Sequence, residues 1–308
     1  IEQKNNIQGM LDMGVSPNFL PGYKPAEKEG KDIWQIIDAI EQGSIKGLYI
    51  VGSDPIASFP ENARIKAALG KLELLIVQDI SSSELTQMAH VVFPGAAAAE
   101  KGGTFTTPDN RIQCLTRAVS PPGEAREDWD IIAELYSRLT GEPHARKVAE
   151  VTEELKQEIG FYSGSCQLTD GRCSGLIKQI DSPPATFNFA GLNAIGAGNA
   201  TDSQFPFILS VGAIGFHNGT MSTRSENNLS VSAKGYIEIF EEDAKRLGIT
   251  DGSSVKVTSN ATATTGYAKI SNKLQPGLIF APYHFRELNA ASLISRSGNL
   301  TNVKVEKV

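Results

Sequence analysis

Polar loops that contain glycine or charged residues follow three short apolar runs near the start of the chain. These loops are Gly52–Pro55, Gln78–Ser81 and Glu100–Thr104. Glycine lets a backbone approach a ligand closely, and the free N–H groups of such loops bind phosphate oxygens. Lys101 adds a positive charge, and the carboxylates of Asp54, Asp79 and Asp128 can accept hydrogen bonds from a base or a ribose. These residue types suit a phosphate- and base-binding site, but ordinary strand-to-helix turns have the same composition.

A second polar stretch, His217–Arg224, follows an apolar run in the last third of the chain. No nucleophile or carboxylate stands beside His217, so hydrogen bonding is favoured over catalysis as its role. Further on, Tyr283 and Asn289 supply an aromatic ring and an amide, which can hold a heterocycle by stacking and hydrogen bonding. A solvated loop and core packing explain the same residues, and both interpretations stay open.

Motifs of self-contained enzymes are missing from the sequence. It contains no GxGxxG, GxxxxGK[ST] or GxSxG, and no cluster of His, Cys and carboxylates with metal-ligand spacing. The three cysteines are Cys114, Cys166 and Cys173, with no CxxC pair, whereas an iron–sulfur cluster needs about four. We therefore predict free thiols in a reducing cytoplasm, and neither metal ligands nor catalytic residues.

Charge and hydropathy narrow the range of partners. A net charge of −6 disfavours nucleic acid, whose phosphates need a basic face. No apolar run approaches the roughly 20 residues that span a bilayer. The chain begins Ile1-Glu2-Gln3 without an initiator methionine, which predicts a fragment or a processed chain.

Strand and helix patterns alternate through the first half of the chain, after a Gly- and Pro-rich stretch, Asn5–Tyr23, that predicts a loop. The strand patterns are Leu48–Val51, Leu74–Val77 and Val91–Phe93. The helix patterns are Asp32–Gln42, Asn62–Leu69, Ser83–Ala89, Asp128–Leu139 and Ala149–Ile159. This alternation predicts a parallel sheet with covering helices, and such sheets bind ligands at the carboxyl ends of their strands.

The composition changes after residue 160. Residues 161–204 are rich in Gly, Ser, Pro and Asn, which predicts an irregular connection. Six short strand patterns follow: Phe207–Val211, Tyr236–Ile239, Ser254–Thr258, Gly266–Ile270, Leu278–Ala281 and Asn302–Val305. Together they predict a small β-barrel, interrupted by one helix at Glu242–Leu247. We therefore expect an α/β domain in 1–160 and a β-barrel domain in 205–308.

Eight segments stand in an order that is typical of one protein family. They are NNIQGMLDMGVSPNFLPGY (Asn5–Tyr23), LYIVGSDP (Leu48–Pro55), VQDISSSELTQMAHVVFPGAAAAEKGGTFT (Val77–Thr106), RIQ (Arg111–Gln113), GEAREDWDII (Gly123–Ile132), GFHNGTMSTRS (Gly215–Ser225), YIEIFEEDAKRLGITDGSSVKVTS (Tyr236–Ser259) and PGLIFAPYHFRELNAASLIS (Pro276–Ser295). Together they resemble the C-terminal half of the molybdopterin-dinucleotide oxidoreductase large subunits. This family includes formate dehydrogenase catalytic subunits and the large iron–sulfur subunit of NADH–quinone oxidoreductase (complex I).

The resemblance implies a fold and a ligand. Residues 1–160 would be an α/β cofactor domain that lacks part of its N-terminal side, and 205–308 a six-stranded, double-psi-like barrel. The ligand would be molybdopterin guanine dinucleotide with Mo or W, held between the two domains. The positions that match the family's cofactor contacts are Asp54, Gln78, Asp79, Lys101, Asp128, Gly212, His217, Asn218, Gly219, Thr220, Tyr283, Asn289 and Lys304.

Departures from the family pattern leave two main hypotheses open, beside a third in which the chain is a free-standing binding module. His90 stands where relatives usually have Asp, Thr107–Asn110 replaces a pattern that more often carries Asn and Glu, and the family's N-terminal cysteine cluster and catalytic Cys or selenocysteine have no counterpart here. In the first hypothesis, the chain is the cofactor-binding part of a formate dehydrogenase-like enzyme, and its partners are the N-terminal iron–sulfur and catalytic part and other oxidoreductase subunits. In the second, it is a cofactor-free structural part of the complex I subunit. Either protein would be cytoplasmic, free or held at the membrane face by partner subunits.

Overall fold

The computed structural model describes residues 7–107, 111–143, 147–162, 176–177, 203–217, 219, 221–294 and 301–308. By their internal contacts these residues form two compact units. The first unit is drawn from 1–53 and 69–186, and the second from 54–68 and 187–308. Within the described ranges, no helix is both long enough and apolar enough to span a membrane.

Helices and strands follow one another through the first part of the chain. The first of them are α1 (Ile7–Asp12), β1 (Phe19–Leu20), β2 (Lys24–Pro25), α2 (Ile33–Glu41), β3 (Gly47–Val51), α3 (Pro55–Ser58) and α4 (Asn62–Leu69). The next are β4 (Leu74–Asp79), α5 (Glu84–Met88), β5 (Val91–Pro94), β6 (Gly103–Thr106), β7 (Arg111–Leu115), α6 (Asp128–Thr140), α7 (Val148–Glu158) and β8 (Leu176–Ile177). Helix α3 and most of α4 are counted with the second unit.

Strands β3, β4 and β5 form a parallel sheet in that order. Its register places Val51 beside Gln78 and Asp79 beside Pro94. Leu75 and Val77 of the central strand are buried, as expected for a parallel sheet that is covered by helices. The three strands therefore end at one edge of the sheet, with the predicted polar residues on it.

Side-chain caps fix where α2 and α5 begin, and a glycine fixes where α6 ends. Asp32 and Gln35 form a capping box at the start of α2, with reciprocal hydrogen bonds of 2.8 and 2.9 Å. Ser83 and Thr86 do the same for α5. Helix α6 ends at Gly141, whose φ of +78° is the left-handed conformation that favours glycine.

An antiparallel sheet, β6-β7-β8, forms the other part of the first unit. It is joined to α1 by a buried carboxylate, Asp12, which accepts hydrogen bonds from the hydroxyls of Tyr23 at 2.8 Å and Tyr162 at 3.5 Å. The Tyr162 hydroxyl also lies 3.2 Å from the hydroxyl of Thr106 on β6. Burial raises the pKa of Tyr162, and the nearby charge of Asp12 acts in the same direction.

The second unit is built around a closed six-stranded barrel. Its elements are β9 (Phe207–Gly212), α8 (Glu226–Val231), β10 (Tyr236–Phe240), α9 (Glu241–Leu247), β11 (Ser254–Thr258), β12 (Ala263–Ser271), β13 (Leu278–Pro282) and β14 (Thr301–Lys307). The strand order around the barrel is β10-β12-β11-β14-β9-β13. The pairs β10–β12 and β9–β13 are parallel, and the other four pairs are antiparallel.

Alternation along the strands separates the barrel core from its surface. On β14, Val303 and Val305 are buried, whereas Lys304 and Glu306 are exposed. This is the two-residue period of a strand with one face on a core. The fully buried side chains of the core include Phe207, Ile237, Ile239, Val255, Val257, Ile279, Leu293 and Val303.

The architecture confirms the predicted parallel sheet and six-stranded barrel. Two expectations for individual segments are wrong. Residues Ile7–Asp12 form α1, although the surrounding glycines and prolines predicted a loop. Cys114 is disulfide-bonded, although the unpaired spacing of the cysteines predicted a free thiol. Spacing along the chain does not report which thiols the fold brings together.

Candidate functional site

Gln78, near the end of β4, is the centre of a polar cluster in the first unit. It is fully buried, yet both ends of its amide have partners. Its Oε1 accepts a hydrogen bond from the hydroxyl of Tyr49, and its Nε2 donates to Oδ1 of Asp128 at 2.6 Å. A buried amide group without a hydrogen-bond partner destabilises the fold by about 1–3 kcal/mol. The orientation that makes both bonds is therefore strongly favoured over the flipped one.

Asp128 joins Gln78 to Lys101. It is the first residue of the 13-residue helix α6, where the helix dipole favours a carboxylate. Its Oδ2 lies 2.5 Å from Nζ of Lys101, so each carboxylate oxygen has one partner. The Lys101 and Asp128 side chains are 26% and 31% exposed, which leaves the ammonium accessible to a further acceptor. We call Tyr49, Gln78, Lys101 and Asp128 the Gln78 cluster.

Tyr49 enters this cluster from β3, the neighbouring strand. Its ring also contacts Phe93 of β5 edge-on, with centroids 6.3 Å apart. Burial raises the pKa of Tyr49, and the negative charge of Asp128 raises it further. The hydroxyl therefore stays protonated and remains a donor to Gln78 throughout the neutral range.

Glycine permits the close approach of backbone to this cluster at one position. A Cβ added to Gly95, just after β5, would lie 3.0 Å from Oδ1 of Asp128. The Gly95 N–H donates to the carbonyl of Asp79 at 3.0 Å, which fixes the loop against the end of β4. A side chain here would displace the Asp128 carboxylate that holds Gln78.

Glu127 anchors the loop that carries Lys101. Its Oε2 accepts hydrogen bonds from the N–H of Gly102 at 3.0 Å and from Nε1 of Trp129 at 2.9 Å. Two adjacent acidic residues thus hold two adjacent residues of the loop, Glu127 with Gly102 and Asp128 with Lys101.

Two further predicted residues take local roles at strand ends. Asp79, partly exposed, accepts a hydrogen bond from the N–H of Ile80 at 2.6 Å through Oδ1. Asp54, in the second unit, caps α3 by accepting from the N–H of Ala57 at 3.2 Å. These bonds involve one carboxylate oxygen each, so the other oxygen of Asp79 and of Asp54 takes no part in them.

His217 is the centre of a second polar cluster, in the barrel unit. Its ring is almost fully buried, with Nε2 2.8 Å from the carbonyl of Ser232 and Nδ1 3.2 Å from the hydroxyl of Ser222. A carbonyl only accepts, so Nε2 carries the proton. The ring also packs edge-on against Phe285, with centroids 5.0 Å apart. These contacts give His217 a structural role in holding its loop.

The peptide of Gly219 is held by side chains from the same region. Its N–H donates to the hydroxyl of Tyr283 at 3.1 Å, and its carbonyl lies 3.0 Å from Nδ1 of His284. The Ser222 hydroxyl lies 3.2 Å from the same carbonyl, and its single proton is donated either there or to Nδ1 of His217. Gly219 has a φ of +72°, which favours glycine. We call His217, Gly219, Ser222, Ser232, Tyr283 and His284 the His217 cluster.

The remaining predicted residues lie apart from these hydrogen bonds. Gly212 ends β9, and its carbonyl accepts from the N–H of Tyr283 at 3.3 Å. Asn289 has a left-handed φ of +46° and accepts a hydrogen bond from Asn62 at 2.6 Å. Lys304 forms an exposed ion pair of 2.6 Å with Glu306 on the outside of the barrel. The positions of Asn218 and Thr220 lie outside the described residues.

The structure therefore brings some of the predicted residues into hydrogen-bonding contact, and it places residues beside them that were not predicted. It brings Gln78, Lys101 and Asp128 together, and separately His217, Gly219 and Tyr283. Tyr49 and Glu127 were not selected from the sequence, because a tyrosine in an apolar run suggests packing and a glutamate before a helix suggests a surface charge. Both lie in segments that carry the family resemblance, Tyr49 in Leu48–Pro55 and Glu127 in Gly123–Ile132, but the sequence does not distinguish them from their neighbours there.

Family models match both parts of the chain. Residues 18–138 match the molybdopterin oxidoreductase family, and residues 212–307 match the molydopterin dinucleotide binding domain. The Gln78 cluster lies entirely within the first match, and the His217 cluster entirely within the second.

Curated relatives align with nearly the whole chain. The NADPH-Fe(3+) oxidoreductase subunit alpha of Geobacter sulfurreducens is 47% identical over 100% of this chain and 37% of its own length. The F420-dependent formate dehydrogenase subunit alpha of Methanocaldococcus jannaschii is 36% identical, over 93% and 48% respectively. An NADH-quinone oxidoreductase subunit of Rhizobium meliloti is 32% identical, over 94% and 36%. The chain thus spans a third to a half of the length of these relatives.

A solved structure supports the same fold. Acetylene hydratase from Pelobacter acetylenicus superposes with a TM-score of 0.61, over 91% of this chain and 47% of that protein. The identity is 13%, so this likeness concerns the fold alone. On the two domain matches and the curated relatives together, the chain belongs to the molybdopterin oxidoreductases and corresponds to the C-terminal part of their large subunits.

Proposed function

We propose that this chain is the cofactor-binding portion of a formate dehydrogenase-like molybdopterin oxidoreductase, and that residues of both domains bind molybdopterin guanine dinucleotide. The observation that carries the proposal is the Gln78 cluster. It lies at the carboxyl ends of parallel strands, within the residues that match the oxidoreductase family. Ligands of open α/β sheets bind at that edge.

The chemistry of the cluster fits a dinucleotide. Lys101 uses one of its three N–H donors on Asp128, so the others are available to a phosphate or to a guanine carbonyl. Asp79 has a carboxylate oxygen available to accept the N–H groups of a guanine edge, beyond the bond from Ile80. Gln78 is buried and supports the site from within, because it orients the carboxylate that holds Lys101.

The His217 cluster offers a second group of contacts. Tyr283 and His284 hold the backbone N–H and the carbonyl of Gly219. A preorganised loop loses less entropy when it binds a ligand. A bound molybdopterin supplies electron transfer at its metal, while these residues bind and orient it.

The activity of the whole protein belongs to the same proposal. We propose that an N-terminal part with iron–sulfur and catalytic residues completes the subunit, and that other oxidoreductase subunits join it. The curated relatives are themselves named as subunits and are two to three times as long as this chain. Formate, NADPH and Fe(3+), which appear in the names of these relatives, are the reactants to assay first.

Substitution of the exposed members of the site tests the proposal. In the full-length protein, we expect Lys101→Ala and Asp79→Ala each to lower bound pterin and bound metal together. Lys46→Ala is the matched control, because Lys46 forms an exposed ion pair with Glu73 in the same unit, just before the starts of β3 and β4, whereas Gln78 and Asp79 lie at the end of β4. Unchanged pterin and metal in both site variants would refute the assignment of these loops.

The alternative function is a cofactor-free structural part of a complex I large subunit. The similarity to the Rhizobium meliloti protein favours it. In that case the Gln78 cluster stabilises the sheet only. Lys101→Ala would then leave complex assembly intact, and no pterin would be found in the parent protein either.

A further inference from the structure

The carboxylate of Glu127 does not cap helix α6. Glu127 occupies the N-cap position of that helix, but its side chain accepts no hydrogen bond from the helix backbone. Glutamate is also not among the residues favoured there, which are Ser, Thr, Asp and Asn. Its carboxylate is instead aimed at the N–H of Gly102 and at the indole of Trp129. The side chain is only 18% exposed.

The loop that Glu127 holds, around Lys101 and Gly102, contains glycines that make its free backbone flexible. Lys101 is followed by two glycines, Gly102 and Gly103, and Gly103 has a φ of +140°. Glycine permits this conformation, but a glycine loses more conformational entropy on folding than any other residue does. A charged acceptor on the Gly102 N–H offsets that loss, because hydrogen bonds to charged groups are stronger than neutral ones.

The hydrogen bond to Gly102 bears directly on Lys101. The Gly102 N–H belongs to the peptide that links it to Lys101, so Glu127 fixes the backbone from which the Lys101 side chain extends. Asp128 then holds the ammonium at 2.5 Å. One acidic residue thus sets the backbone, and its neighbour sets the charged end.

We propose that Glu127 is a positioning residue that presents Lys101 to the anionic part of the cofactor. This inference rests on the proposed cofactor role of Lys101. Glu127 itself contacts no ligand, and it acts by keeping the Lys101 backbone within reach of Asp128. Arg117, 3.8 Å from the other carboxylate oxygen and half exposed, contributes little.

Amine labelling tests this placement without any cofactor. Full-length protein produced without molybdopterin is treated with an amine-acylating reagent, and Lys101 modification is followed by peptide mass spectrometry. We expect Glu127→Ala to raise the labelling rate of Lys101 roughly tenfold, the scale of losing one hydrogen bond to a charged acceptor. Glu127→Gln keeps an acceptor oxygen of the same shape without the charge, so its rate should fall between the two. It also serves as the test if Glu127→Ala fails to fold.

Glu134→Ala is the matched control for that experiment. It lies on the same helix and loses ion pairs with Arg126 and Arg138, whereas the loop is held by Glu127 and Asp128. Its Lys101 labelling should equal that of the parent protein. Equal labelling of Lys101 in the parent, Glu127→Ala and Glu127→Gln proteins would overturn the proposal.

A double-mutant cycle on bound pterin distinguishes positioning from a general structural role. If Glu127 acts through Lys101, Glu127→Ala lowers pterin content in the parent but not further in a Lys101→Ala background. Additive losses would contradict the proposal. If Lys101→Ala alone leaves pterin unchanged, the cofactor role of Lys101 is refuted, whereas the labelling result still decides whether Glu127 holds the loop.

Discussion

Lys101 Nζ lies 2.5 Å from Oδ2 of Asp128, and the other oxygen of the same carboxylate accepts from Gln78. A single aspartate at the start of α6 therefore joins a buried strand-end amide to a partly exposed ammonium. These hydrogen bonds connect the buried end of the sheet to the partly exposed ammonium group at which a ligand would bind.

Asp128 should be the most sensitive residue of this cluster. Asp128→Ala leaves the buried Nε2 of Gln78 without its acceptor, and we expect a loss of about 1–3 kcal/mol in the free energy of unfolding. Urea unfolding measures it. Asp130→Ala is the control, since Asp130 pairs with the exposed Arg126 and should change stability by less than about 0.5 kcal/mol. Equal losses in the two variants would contradict the role given to Asp128.

Tyr49→Phe isolates the hydroxyl that orients Gln78. The phenyl ring keeps its contact with Phe93, but Oε1 of Gln78 loses its donor. We expect about 1–2 kcal/mol of destabilisation and a lower pterin content in the full-length protein. Tyr136→Phe removes an exposed hydroxyl that binds Glu142, and pterin should not change. If both variants retain the same pterin as the parent, Tyr49 does not support the site.

Alkaline pH should destabilise the first unit through its tyrosines. The pKa values of Tyr49 and Tyr162 are raised above the usual 10.0 in the folded protein, chiefly by burial. The folded state then holds these protons more tightly than the unfolded state. Their contribution is complete below the unfolded pKa and is lost as pH rises through the folded values. Melting temperature against pH above about 10 should fall less steeply in Tyr49→Phe than in the parent. Parallel curves would show that Tyr49 is not linked to folding.

His217 should matter for the barrel unit even without a ligand. His217→Ala removes a buried ring that donates to the Ser232 carbonyl and packs edge-on against Phe285, and we expect a loss of about 2–4 kcal/mol. Lys304→Ala, which removes an exposed ion pair, should have an effect near zero. Thermal unfolding compares the two. A small effect of His217→Ala would mean that the loop is not held by this ring.

Gly235 tests the packing around the barrel. A Cβ at this position would lie 2.9 Å from Cβ of Phe285 and 3.0 Å from Cβ of Leu288, both on buried residues. Gly235→Ala should therefore destabilise the barrel by about 1–3 kcal/mol. Gly215→Ala, with no atom within 4 Å of the added carbon, should not. Denaturant midpoints of the two variants decide the question.

Elements were predicted better than contacts. Regular apolar spacing located the parallel strands, α6 and all six barrel strands within a few residues. It failed at α1, since the glycines and prolines around Ile7–Asp12 suggested a loop, and at the β6–β7 pair, which follows a glycine loop. These elements are short, and packing decides their conformation more than local propensity does.

The sequence selected candidate site residues one by one, and it did not show how they are arranged. Gln78, Lys101 and Asp128 came from strand ends and from a family resemblance, and the structure shows that they share hydrogen bonds. Tyr49 and Glu127 were not predicted, because their roles depend on partners that are 29 and 25 positions away along the chain. The disulfide bond of Cys114 was not predicted either, because the spacing of cysteines along the chain does not show which of them meet in the fold.

The most direct test is the amount of molybdopterin guanine dinucleotide released from the full-length protein, per polypeptide, after expression with molybdate and tungstate. The proposed function predicts a stoichiometric amount, together with molybdenum or tungsten. Its absence from folded protein, in a host that fills other molybdopterin enzymes, would contradict the proposal and favour the structural alternative.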